Sequence, residues 1–175
     1  MRIEFYAAIK TAEPFLPAGT VIAREQTYVH TFYKKEATAQ QPATSKEEGN
    51  LVAFSGPDFK ATFDKQSGLL TSYLYKKHEY ILNGQGPRPF FWRAPTDNDY
   101  GANLPVRLKA WKEASYQEPK AESFQVTPGS NATTVKVTYR FPQTEARWNI
   151  TYKIYASGVI KVDTRFMAEG DPAPL

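Results

Sequence analysis

The sequence has no cysteine. Disulfides, thiolate nucleophiles and cysteine-based zinc sites are therefore excluded. Histidine is almost as scarce, with only His30 and His78, far apart and in unrelated surroundings. No catalytic triad or metal-ligand spacing can be built from that pair. No apolar run approaches the roughly 20 residues that span a bilayer as a helix. The start, "MRIEFYAAIK", enters a strand-like alternation at once and shows no signal-peptide pattern. There is no glycine-rich phosphate loop. Charge is nearly balanced, 22 Lys+Arg against 18 Asp+Glu, for a formal +4. The basic residues stand singly or in pairs such as Lys34-Lys35 and Lys76-Lys77, whereas nucleic-acid binders concentrate them on one element. Neither nucleic acid nor membrane is expected as a partner. Lack of cysteine leaves the compartment open between bacterial cytoplasm and periplasm.

Aromatic residues are plentiful, with 11 Tyr, 11 Phe and 3 Trp, and 13 prolines punctuate the 175 residues. Aromatics favour strands and prolines keep to edges and turns, so a mostly β fold is expected. Ile3, Phe5, Ala7 and Ile9 alternate with period two, and residues 20–33 are again rich in β-branched and aromatic side chains. Residues 34–48 hold no large apolar side chain and read as a linker, which sets a domain boundary at 34–49. Beyond it, strands are predicted around a Gly56-Pro57 turn, after an Asp64–Gly68 turn in which Gly68 supplies positive φ, and across 122–128, 133–141, 146–156 and 158–168. "LPVRLKAWKEAS" spaces Leu104, Leu108 and Trp111 at the helical period and is the single predicted helix, with Pro105 in its first turn. The last strand has no obvious successor, and an exposed sheet edge is a liability that favours self-association.

The segment with most chemical character is "FFWRAPTDNDYG", residues 90–101. Asp97 and Asp99 flank Asn98 and would point the same way in an extended segment. They suit a hard cation, sugar hydroxyls, or a turn that bonds its own backbone, and the turn is favoured. Arg93 is placed to pair with Asp97 or Asp99, or to reach a ligand. Phe90 and Trp92 are expected in the core by alternation, and stacking on a sugar ring is the alternative. Glycoside hydrolysis needs two carboxylates across a cleft, and 18 acids always supply some pair, so their number decides nothing.

"RAPTDNDYG" resembles a segment of the bacterial β-galactosidases of glycoside hydrolase family 2. The upstream "FKATFDKQSGLLTSY" and the downstream "AWKEASY" and "TYKIYASGVIKVD" resemble other segments of that family, in the same order. Together they cover about residues 50–168. "KTAEPFLPAGTVIARE" is similar to the end of the immunoglobulin-like domain that precedes this region. The resemblance implies three parts. Residues 1–33 are the final strands of an immunoglobulin-like sandwich, 34–49 a linker, and 50–175 the front of a β-supersandwich of the galactose-mutarotase type. It implies no catalytic residue and no metal ligand here, because the acid/base and nucleophile glutamates of that retaining enzyme sit on an absent barrel. Magnesium and sodium ions of the parent would belong to the absent domains, so no cofactor is expected in this segment. Arg93, Asp97, Asn98, Asp99 and Gly101 are implied as a loop at the substrate site, with Gly101 a hinge. The implied partners are galactose or a β-galactoside at the parent active site and the rest of a homo-oligomeric enzyme. A stand-alone carbohydrate-binding sandwich, with Trp92 or Tyr100 as platform, is the alternative. A mutarotase-like epimerase is disfavoured by the placement of the two histidines.

Overall fold

The computed structural model describes residues 2–28 and 41–170. His30, Lys34-Lys35 and the first part of the predicted linker lie outside the described residues. The chain forms two compact units, Met1–Ala37 and Thr38–Leu175. In the first unit the alternation of Ile3, Phe5 and Ala7 becomes strand β1 (Arg2–Ala8), which pairs antiparallel with β2 (Val21–Tyr28). Both strands are exposed along nearly their whole length, and a two-stranded ribbon has no interior of its own.

The second unit is a two-sheet antiparallel sandwich, in keeping with the expected mostly β class. One sheet runs in order through β3 (Thr44–Glu48), β4 (Leu51–Ser55), β5 (Phe59–Asp64), β6 (Leu70–Tyr75) and β7 (His78–Glu79). The other orders β8 (Ala121–Thr127), β9 (Thr133–Phe141), β10 (Ala146–Ile154) and β11 (Ile160–Ala168) as neighbours. Alternate residues of each strand face the other sheet. Val52 and Phe54, then Phe59, Ala61 and Phe63, meet Val135, Val137, Tyr139, Ile150, Tyr152 and Ile154 in one core. Phe63 is central, with ring centroids 5.7 Å from Phe54, 5.0 Å from Tyr152 and 6.2 Å from Phe124. Burying such a ring stabilises the fold by about 2–3 kcal/mol.

The linker reading needs correction at its C-terminal end. Thr44–Glu48 is a strand, paired with β4 from Thr44↔Ser55 to Glu48↔Leu51. Its side chains are exposed, so its polarity misled: an edge strand holds itself by backbone hydrogen bonds and needs little apolar surface. Residues 41–43 are tied in as well. Ala156 N–H donates to Gln41 O at 3.2 Å, and Thr133 Oγ1 donates to the carbonyl of buried Ala43 at 3.2 Å.

The single predicted helix also needs correction. Three short helices follow one another: α1 (Asp97–Gly101), α2 (Leu104–Arg107) and α3 (Lys109–Tyr116). The periodic stretch is split at Leu108, whose φ of −101° and ψ of 19° leave the helical region.

The Asp64–Gly68 turn is as the sequence predicts. Asp64 Oδ1 accepts from the amides of Gln66 and Ser67 at 2.7 and 2.8 Å, and Gly68 has φ +74°. A Cβ at Gly68 would lie 2.6 Å from both the Tyr139 hydroxyl and Val137 Cγ1. Gly68→Ala therefore combines left-handed backbone strain with overpacking and is expected to destabilise by roughly 2–4 kcal/mol. Urea unfolding of the purified chain checks this; a loss below that of an ordinary surface substitution would contradict the packing.

Candidate functional site

Residues 90–96 are irregular because Pro89 and Pro95 each lack an amide hydrogen for a ladder. Alternation therefore does not apply, and the expected core positions shift by one. Phe91, not Phe90 or Trp92, is the hub. Its ring lies 5.1 Å from Trp111, 5.6 Å from Phe141, 5.6 Å from Phe166 and 6.4 Å from Trp148. Phe90 is exposed and meets Tyr116 edge-on at 5.4 Å. Trp92 is half-buried beneath Lys112, whose Nζ lies 5.5 Å from its ring centroid. Ser115, which the sequence reading missed, locks this strip to α3. Its hydroxyl accepts from Phe91 N–H at 2.8 Å and donates to Trp111 O at 2.8 Å. Only its place on the inward face of the α3 stretch hinted at it.

The polar half of the segment is a helix start, not an extended ligand rack. Thr96 is the N-cap of α1, and Asp99 is the third helical residue, so the two form a capping box. Asp99 Oδ2 accepts from Thr96 N–H at 2.7 Å and from Thr96 Oγ1 at 3.0 Å. Of the two partners considered for Arg93, Asp99 takes it, in a forked pair of 2.5 and 2.9 Å. Arg93 Nη1 also donates to Ala94 O at 3.1 Å. These contacts, the Arg93 hydrogen bond first, hold the Asp99 carboxyl at about 2, well below the usual carboxylate range.

Helical geometry sends Asp97 and Asp99 to different sides, with Asp99 buried and Asp97 and Asn98 exposed. The alternation that would have aligned the two carboxylates is thus absent. Gly101 ends α1 in ordinary negative-φ backbone, and a Cβ there would meet nothing within 4 Å. Its backbone freedom is unused in this state. The left-handed residue at the junction is Asn103, with φ 55°.

Together Phe91, Trp92, Arg93, Pro95, Asp99, Leu104, Pro105 and Leu108 line a hollow of about 110 Å³. Apolar walls and one forked ion pair are the lining of a small polar-ligand site or of a braced loop. Asp99 is its one carboxylate, and that group is already committed and ionised at neutral pH. The two-carboxylate arrangement of glycoside hydrolysis is not met at this hollow. Among the described residues no three carboxylate or imidazole groups converge as a metal site requires.

The site is thus a proline-flanked aromatic strip and a braced helix cap carried on an antiparallel sandwich. Sequence comparison gives the particular family. Residues 55–174 match the family described as β-galactosidase small chain, and the chain belongs to it. It is similar to a β-galactosidase of Priestia megaterium, 32% identical over 126 residues, which are 71% of this chain and 12% of that protein. A Clostridium acetobutylicum β-galactosidase is 34% identical over 116 residues, 66% of this chain and 13% of the relative. A β-galactosidase small subunit of Latilactobacillus sakei is 30% identical over 133 residues, 63% of this chain and 41% of that subunit. The chain thus spans less than half the length of each of these relatives.

Two outcomes test the brace. Thr96→Ala removes the cap and is expected to cost about 1 kcal/mol in urea unfolding. Asp99 has a folded pKa near 2 against an ordinary 3.8, so its contribution is complete above pH 3.8 and is lost as pH falls towards 2. Stability of the native chain should therefore drop more steeply over that window than stability of Asp99→Asn. Parallel pH profiles would contradict the ion pair.

Proposed function

We propose that this chain is a non-catalytic part of a β-galactosidase that hydrolyses terminal β-galactosides, and that its 90–101 segment frames the rim of the sugar pocket. The observation that carries this reading is the Arg93–Asp99 fork inside the capping box. Every strong interaction of Asp99 is spent on fixing the shape of the segment, and none is left for proton transfer. Asp97 and Asn98, by contrast, stay exposed at the start of α1 with hydrogen-bonding capacity to offer. The membership of residues 55–174 in the small-chain family supports the parent assignment.

In this proposal residues 1–33 are closing strands of an immunoglobulin-like sandwich. The later unit is the front of a mutarotase-like supersandwich, which takes in β3 and so begins before Asn50. Chemistry is carried by two carboxylates on another domain, in a retaining mechanism with a covalent glycosyl intermediate. The role of this chain is to hold the sugar's surroundings in place, which is a binding and orienting contribution. Any ions the parent enzyme uses are assigned to its other domains.

The purified chain is expected to give no turnover of a chromogenic β-galactoside. Turnover that survives removal of contaminating enzyme would overturn the reading. Galactose titration followed by amide NMR should show no saturable site below roughly 10 mM. Saturation below that level at Trp92 or Tyr100 would favour a free-standing carbohydrate-binding module instead. In a β-galactosidase that carries this segment, Arg93→Ala should raise KM by roughly 3- to 10-fold with less effect on kcat.

A further inference from the structure

A second cleft, of about 80 Å³, opens where β9 outruns β8. The last residue of β9 that pairs with β8 is Tyr139, opposite Ala121, so Arg140 and Phe141 continue without that neighbour. Buried Pro89 and the buried end of α3, Ala114 and Ser115, form walls of the cleft. Its charged lining is Arg88, Lys120, Arg140 and Glu118. Three cations thus converge from the loop before the aromatic strip, the residue before β8 and the end of β9.

The fold does not neutralise them. Among the described residues none of the three cations has an ion-pair partner. The cross-strand neighbour of Arg140 on β10 is Arg147, a like charge. Two carboxylates, Glu122 and Glu169, are already held by Arg147 at 3.4 and 3.5 Å. Glu118 offsets one of the three positive charges and the C-terminus of α3 about half of another, so roughly one and a half remain. A cleft lined by one sign of charge focuses the field on whatever enters it.

We propose that this cleft binds one oxyanion group, a phosphate or a carboxylate, between Arg88, Lys120 and Arg140. The charge left over matches an anion of one or two charges. The volume matches a single small group, since it equals the share of two to three water molecules at roughly 30 Å³ each. Guanidinium forks suit the paired oxygens of both anions. Any larger body attached to the group stays outside. Occupancy also bears on the aromatic strip. Arg88 precedes Phe91 by one short step of chain, and the wall residue Ser115 accepts from Phe91 N–H at 2.8 Å. An anion shared by Arg88 and Arg140 therefore ties the entry of the strip to β9.

The proposal stands on the cleft and its charges and is independent of the β-galactosidase reading. Its test is amide NMR of the full chain, titrated with sodium phosphate and separately with sodium acetate at constant ionic strength. Shifts at Ser115, Lys120 and Arg140 should saturate, with a Kd of roughly 1–10 mM for the preferred anion. Tighter phosphate assigns the cleft to a phosphate group, and tighter acetate to a carboxylate. Arg88→Ala and Arg140→Ala should each weaken binding by roughly three- to tenfold. Lys153→Ala removes an exposed cation of β10 outside the cleft and should leave binding unchanged. Glu118→Gln acts in the opposite direction and should tighten binding roughly twofold or more, because it removes the one like charge beside the anion. Shifts that stay linear with both anions up to roughly 100 mM would overturn the proposal. So would binding that K153A weakens as much as R88A, or that E118Q weakens.

Discussion

Phe63 reaches from β5 across the gap between the two sheets and meets the ring of Tyr152 at 5.0 Å, with Phe54 and Phe124 on its flanks. This contact sets the separation and register of the sandwich, and the other features depend on it. The turn at Gly68 passes close to the Tyr139 phenol because the two sheets are held at that spacing. That turn in turn receives Ala121 N–H on the carbonyl of Gln66, which docks the start of β8. The aromatic strip at Phe91 finds Trp148 and Phe141 already arrayed on β10 and β9. Moving the Phe63 ring would disturb all of these, because a close-packed interior transmits displacement instead of absorbing it.

Around the candidate site, order comes in two layers that do different work. Ser115 and the Phe91 cluster bind the irregular strip to the sandwich by packing and by satisfying an otherwise orphaned amide. Arg93, Thr96 and Asp99 then fix the first turn of α1 by charge-assisted hydrogen bonds. The helix is only five residues long and has little intrinsic stability, so its cap and ion pair are what define it. Such a segment is stiff at Asp99 and open at Asp97 and Asn98. It presents polar groups without letting them wander.

Most of the β architecture was legible because strands with one buried face write themselves as period two. Val135, Val137 and Tyr139, or Ile150, Tyr152 and Ile154, are clear instances. β3 was not legible, because an exposed edge strand leaves no apolar signature. Phe90 and Trp92 misled for the opposite reason. They alternate as in a strand, but the prolines around them prevent a strand, and Phe91 turns inward. The four residues of the polar cluster were visible as candidates from their types and spacing. Their division into an ion-paired brace, Arg93 with buried Asp99, and an unpaired exposed Asp97 and Asn98 was not. That follows from helical geometry set by Thr96, a residue with no evident chemistry of its own. The break near Lys77 in the strand that starts at Leu70 was legible, and Lys76 and Lys77 make it with left-handed torsions between β6 and β7, φ 47° and 69°, without the usual asparagine or glycine.

The fastening of residues 41–43 bears on how the sandwich comes to exist. Thr133 and Ala43 are 90 residues apart, and the Gln41–Ala156 bond closes a still longer loop. The first strand of the unit is thus clasped to the last hairpin. Local hairpins can assemble in microseconds, but this clasp has to wait for nearly the entire unit to be collected in space. Topologies of that kind acquire their native form slowly. A nascent chain on the ribosome would hold β3 unclasped until the final hairpin had emerged.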